Sequence, residues 1–170
     1  MKPLLLFIST LTLFSIMGDI PGHTQNKEDA EQVRTTKICR NCDLSGINLT
    51  NDDLISAVLP GTDLSRARLG HAILISAYLP NADLSGATLR KAYLPSAYLI
   101  DANLTEANLS KAYLSDANLT GANLTGANLS KADLTRVNLT GADLTNAILD
   151  SALICNTIMP DGTIDTSGCK

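Results

Sequence analysis

The chain contains no tryptophan and only two phenylalanines in 170 residues, and both of these, Phe7 and Phe14, lie at its extreme N-terminal end. A globular core of this size ordinarily buries several aromatic side chains, so the interior has to be narrower and built from something else. Neither sign of charge dominates. Thirteen Lys and Arg against 17 Asp and Glu leave a net charge of −4. That is too mild for an acidic tail and has the wrong sign for a binder of nucleic acid or anionic membranes. Histidine is scarce, with only His23 and His71, and no Ser-His-Asp set, glycine-rich phosphate loop or paired metal motif accompanies them. The absence of these constellations argues against an enzyme and leaves no residues for a cofactor or a catalytic metal. No apolar run reaches the roughly 20 residues of a membrane-spanning helix.

The longest such run, Leu4–Met17, follows Lys2 and is interrupted by Ser and Thr. Residues 1–22 therefore read as an export signal, with no stable membrane insertion once it is removed. Gly18 and Gly22 are small-residue cleavage candidates, but neither completes an A-x-A pattern, and an uncleaved anchor stays open. No Cys follows the run, which speaks against a bacterial lipoprotein. The four cysteines form two groups, Cys39/Cys42 and Cys155/Cys169, at opposite ends of the sequence beyond the signal. In a small exported chain they fit an oxidising compartment. A C-x-x-C can be a redox motif, half a zinc site or a short disulfide. The redox reading usually comes with a βαβ pattern that is missing here, and structural disulfides are the expectation for both pairs.

What the sequence has in abundance is leucine, and it recurs with a period of five. Leu occupies every fifth position from Leu44 to Leu149, 22 in succession, and Ile154 continues the register. Ala stands two residues before Leu in 17 of these 22 repeats, the exceptions being Cys42, Ile47, Asp52, Thr62 and Val137. Asn or Asp often fills the place between, and Ser or Thr follows Leu in 13 repeats. Period five fits neither ordinary element. On a helix, at ~100° per residue, successive Leu would spread to every side; on a flat strand they would alternate faces. All can share one interior only if the chain turns once per repeat. Ala and Leu then point inward together, with the residues beside them outward. Gly, Asn, Ser and Lys suit the turns. The product is a solenoid with a thin core.

These residues resemble the pentapeptide-repeat family, whose motif is Ala-Asp/Asn-Leu-x-x, over roughly Cys42 to Asn156; Ala117–Ser130, ANLTGANLTGANLS, is the clearest stretch. The resemblance implies an all-β fold, a right-handed quadrilateral β-helix in which four repeats make one coil. At ~4.8 Å per coil the tube would be on the order of 25 Å long, too long for the two cysteine pairs to share a metal. Thr35–Leu49 and Leu153–Cys169 look like the caps of exported members from cyanobacteria and thylakoid lumens. The organisation expected is therefore a signal over 1–22, an N-terminal cap over 23–41, the β-helix over 42–156 and a C-terminal cap over 157–170. A short capping helix is expected at Asn26–Lys37, with Cys155–Cys169 tying down the C-terminal tail. Localisation would be the periplasm or the thylakoid lumen.

Stacking positions four repeats apart gives the outward surface some pattern. Tyr78 lies under Tyr98 and Tyr93 under Tyr113, on adjacent faces that also carry Ile55, Val58, Pro60, Ile73, Ile75, Pro80, Pro95 and Ile100. This half is either a strand-stabilising ladder or a surface for a protein partner; the candidates are Tyr78, Tyr93, Tyr98, Tyr113, Ile73, Ile75 and Ile100. Lys91, Lys111 and Lys131 stack at equivalent corners, with Arg68 and Arg90 beside them, either for solubility or as a stripe for an acidic partner. Asp52 occupies an inward slot near the first coil and is expected to meet the cap. His71 reads as a solvated corner residue. The functional expectation is a non-enzymatic exported scaffold for protein–protein interaction, with a homodimer left open. The alternative implied by the family is a rod that mimics DNA and binds a topoisomerase such as gyrase.

Overall fold

A computed structural model describes residues 23–169, with side chains from residue 27 onward. The export signal and its cleavage candidates lie outside the described residues. The chain begins with helix α1 (His23–Thr36) and ends with a hairpin of β1 (Thr157–Ile158) and β2 (Ile164–Asp165), paired antiparallel. Between them runs an unbroken series of single parallel bridges, each joining residue i to residue i+20, from Ile38↔Val58 to Asn138↔Ile158. Four repeats, each with one bridging position, thus make one coil. The ladder starts earlier than Cys42 because Ile38-Cys39 is a degenerate repeat. Cys39 fills a leucine slot and is fully buried. Every inward Leu from Leu44 to Leu139 is at most 2% exposed.

One middle repeat explains why five residues suffice. Leu104 N–H donates forward to Asn123 O (2.7 Å) and Glu106 N–H forward to Thr125 O (2.9 Å). Ala107 N–H closes the turn on Leu104 O (3.0 Å), and Asn108 N–H donates backward to Ala87 O (2.9 Å). The fifth amide, Thr105 N–H, has no backbone partner and goes to its own neighbour's side chain, Asn103 Oδ1 (3.1 Å). All thirteen Asn and Asp residues in the middle position of the Leu44–Leu149 repeats make this bond. The Asn-Leu-Thr/Ser pattern is therefore an Asx turn that satisfies an otherwise orphaned donor.

Prolines obey the same rule from the other side. Pro60, Pro80, Pro95 and Pro160 all occupy the position of the fifth amide, and all follow a middle residue that cannot accept: Val58, Tyr78, Tyr93 and Ile158. At these four repeats the acceptor and the donor are missing together, and proline's fixed φ suits the first central position of the turn. Asn128→Val should therefore cost about 1 kcal/mol by stranding Ser130 N–H, whereas Ser130→Pro in that background strands nothing. A double-mutant cycle read by denaturant melts should give a favourable coupling of roughly 0.5–1 kcal/mol. Additive effects would show that the side-chain bond contributes no stability.

Each turn places its second residue in the left-handed region. From Gly46 to Asn156 every fifth residue has φ between 53° and 68°, Gly at six of them and another residue at seventeen. Lysine, arginine, histidine and glutamate hold this conformation although it costs a non-glycine residue on the order of 1 kcal/mol. Hydrogen bonds to the next coil on both sides of the turn over-determine it.

The ends differ. At the N-terminus, Ala30 and Val33 of α1 seal the first coil, and Leu44, Leu49, Leu54 and Leu59 are fully buried. Asp52 takes the inward slot and receives Arg34 Nε from the helix at 2.9 Å, while Arg34 Nη2 donates to Asn48 O at 2.7 Å. Asp29 Oδ2 accepts Asp43 N–H (2.9 Å). Two buried threonines replace inward alanines in the end coils: Thr62 Oγ1 donates to Cys39 O and Thr157 Oγ1 to Leu134 O, both at 2.7 Å. At the C-terminus the cover is thinner. Leu144, Leu149, Ile154 and Met159 are only half-buried. Gly168 lies so close to the last coil that a Cβ would stand 2.6 Å from Ile154 O, and its N–H donates to that oxygen at 2.8 Å.

Candidate partner-binding surface

The coil register sorts the outward side chains into four columns. The first holds Asp43, Asp63, Asp83, Asn103, Asn123 and Asp143; the second holds Asn48, Arg68, Thr88, Asn108 and Asn128. Apolar residues gather in the third (Ile73, Tyr93, Tyr113) and the fourth (Ile38, Val58, Tyr78, Tyr98). In the third, Tyr93 and Tyr113 stack with ring centroids 4.8 Å apart and planes 13° apart. In the fourth, Tyr78 and Tyr98 are tilted by 52° at 6.1 Å. All four rings are exposed by 42–46%, whereas Ile73, Ile75 and Ile100 are half-buried between them. Ile38 (47% exposed) belongs to the same surface. Sequence reasoning missed it because the repeat motif is unrecognisable before Cys42.

The turn between the third and fourth columns joins the two into one surface. Its left-handed residues are Ser56, Ser76 and Ser96, then Asp116 and Arg136, so no charge interrupts the step from Ile75 to Tyr78 or from Pro95 to Tyr98. Ion pairs mark both ends along the tube. Lys37 Nζ meets Asp53 Oδ2 at 3.0 Å on the N-terminal side. On the C-terminal side Arg136 grips Asp116 with two bonds, 2.6 and 2.7 Å. Ile55 N–H, then Lys37, hold the Asp53 carboxyl below its ordinary range; Arg136 does the same for Asp116, and Asp116 raises the Arg136 guanidinium. A carboxyl so depressed favours the fold above the ordinary carboxylate range and loses that effect as pH falls through its folded pKa.

The structure joins Cys39 to Cys42 and Cys155 to Cys169, with no free cysteine among the described residues. The Asp29 carboxylate and the Cys39 and Cys42 sulfurs lie within 4.8 Å of one another, but the sulfurs are bonded to each other and so are not available as thiolate ligands. His71 is an exposed turn residue at φ 59°. No helix among the described residues is long and apolar enough to cross a membrane.

A family profile described as pentapeptide repeats matches in eight copies over residues 39–70, 62–99, 82–121 and 112–150. The chain belongs to the pentapeptide-repeat family. Among solved structures it is similar to HetL, a pentapeptide repeat protein involved in heterocyst differentiation regulation in the cyanobacterium Nostoc. The two are 36% identical over 75% of this chain and 66% of HetL, with a TM-score of 0.32. It is also similar to a pentapeptide repeat protein from the Arabidopsis thaliana thylakoid lumen, at 27% identity over 79% of this chain and 73% of that one (TM-score 0.31). A third is QnrB1, a plasmid-mediated fluoroquinolone resistance protein, at 20% identity over 77% of this chain and 61% of QnrB1 (TM-score 0.47). The chain thus spans about two thirds of HetL and less of QnrB1. No curated protein matches it.

Proposed function

We propose that this member of the family is an exported, non-enzymatic scaffold that holds a protein partner against its third and fourth columns. In this reading residues 1–22 are a signal, the helix before Ile38 and the tail after Ile158 are caps, and the coils between them form a right-handed quadrilateral tube in the periplasm or thylakoid lumen. One observation carries the partner surface: the exposed tyrosines and half-buried isoleucines are contiguous across an uncharged serine turn. Contiguous apolar patches of this kind on soluble proteins mark interaction sites. The two disulfides and the lumenal relative support export. The DNA-mimic alternative calls for acidic charge all round the rod, and here the outward acids lie in the first column, at Asp43, Asp63, Asp83 and Asp143, and at the two ends of the third, at Asp53 and Asp133, with none in the second or fourth.

Two tyrosines can be replaced without disturbing the coil. Asn at position 98 or 113 finds the free amide of Ile100 or Ser115, whereas Asn at 78 or 93 would face the proline nitrogen of Pro80 or Pro95. Tyr98→Asn/Tyr113→Asn should therefore keep the melting temperature within a few degrees. It should also abolish in-compartment cross-linking to the partner that the native chain captures. An interface aromatic commonly contributes ~2 kcal/mol or more, so two correspond to several hundred-fold in affinity. Normal cross-linking by a variant with a clearly lowered melting temperature would reduce the tyrosines to a stabilising ladder.

A further inference from the structure

The apolar surface has one charged rim, and that rim is of one sign. Across the turn between the second and third columns the left-handed residues are His71, Lys91, Lys111 and Lys131. Lys91 and Lys111 each sit two residues before a stacked tyrosine, Tyr93 and Tyr113, so ammonium and phenol form a repeated rung at the coil spacing of ~4.8 Å. Like charges at that spacing are well inside the ~8–10 Å Debye length and repel. No ion pair among the described residues neutralises them. The ion pairs among the described residues are Arg34–Asp52, Lys37–Asp53 and Arg136–Asp116, and none involves Lys91, Lys111 or the neighbouring Arg68 and Arg90. The opposite rim, between the fourth and first columns, offers Asn81, Asp101 and Gly121, a single acid.

Resting on the partner surface just described, we propose that the bound segment of the partner is an acidic, apolar stretch of polypeptide. Its carboxylates lie along Lys91 and Lys111, and its apolar side chains lie on Ile75, Pro95 and Tyr98. Charge complementarity sets its orientation, because only one rim attracts acids. The stacked tyrosines turn their faces to each other along the tube. They leave edges and hydroxyls for the partner, which suits hydrogen bonds to carboxylates and not the stacking of a sugar or a base. Polynucleotides fit less well: the chain is net negative and the first column is lined with aspartates.

The test uses the folded, disulfide-intact chain and labelled synthetic 16-residue peptides in fluorescence anisotropy. One peptide alternates Glu with Leu and Phe, one alternates Lys with Leu and Phe, and one alternates Glu with Ser; a single-stranded oligonucleotide is the fourth probe. The Glu-Leu/Phe peptide should bind at least tenfold tighter than each of the others and weaken as salt rises. Lys91→Glu/Lys111→Glu should cost that peptide more than tenfold and shift preference to the Lys peptide, while Arg66→Glu, on a different turn, should change little. Equal binding of the Lys peptide or the oligonucleotide overturns the proposal, as does indifference to the Lys91/Lys111 reversal. The two readings fail separately. If Tyr98→Asn/Tyr113→Asn abolishes capture of the partner while Lys91→Glu/Lys111→Glu leaves it intact, the surface stands and its acidic occupant does not.

Discussion

Leu104→Ala should lower stability by about 2–5 kcal/mol, because Leu104 is fully buried in the middle of the tube and its neighbours cannot close the cavity. The cavity would be lined by the leucines and alanines of three coils, all held by hydrogen bonds forward and backward. Leu149→Ala, chemically the same change, should cost well under half as much. Leu149 lies in the last coil, is half-buried, and leaves a dent open to solvent instead of a void. Guanidinium titrations followed by far-ultraviolet circular dichroism would measure both midpoints. The gradient is the informative result, since a solenoid is held by contacts between neighbouring coils and its ends contribute less. Equal losses at the two positions would mean that the C-terminal hairpin covers the last coil as fully as α1 covers the first. The same spectrum should be weak in strand signal, since the β structure consists of single bridges between turns and not of long strands.

The second large effect concerns the C-terminal cap. Cys169→Ser opens a link between residues 14 apart that fastens the tail across Ile154. Closing a loop of that size contributes ~3 kcal/mol in the chain-entropy model. The expected loss is local. Amide exchange at Gly168 and Met159, whose N–H groups bond to Ile154 O and Thr163 O, should accelerate on the order of a hundredfold. Leu104 and its forward bond to Asn123 should keep their protection. Beyond the buried Thr157 and the Ile158 bridge to Asn138, the tail has little else to hold it, with Met159 its one hydrophobic side chain packed on the core. Uniform loss of protection along the tube would show that the cap and the coils unfold as one unit. Unchanged exchange at Gly168 would show that the hairpin and the Gly168–Ile154 contact suffice.

Sequence reasoning reached the coil because period five leaves a chain no other way to bury every leucine. Four repeats per coil followed from the family resemblance, and the bridges from Ile38 to Ile158 confirm it residue by residue. The cap contact of Asp52 was legible for the same reason. That its partner there is a cation, Arg34 of α1, came only with the structure. The role of the outward Asn and Asp was not legible. It took the pattern of backbone hydrogen bonds to show that one amide in five has no backbone partner and that these side chains accept it.

The turns follow the same division. Composition favoured Gly, Asn, Ser and Lys there, yet Arg66, His71 and Glu106 adopt the same positive φ, because inter-coil hydrogen bonds outweigh a local cost of about 1 kcal/mol. By itself, then, the sequence determined the period and the inward set, both properties of residues near one another in the chain. Tertiary structure alone decided how tightly each end is closed, that the Tyr93 and Tyr113 rings lie flat on each other while Tyr78 and Tyr98 are tilted, and that a serine turn joins two apolar columns. Those depend on groups four repeats apart in the chain brought to within one coil spacing, and such distances are set only when the solenoid closes.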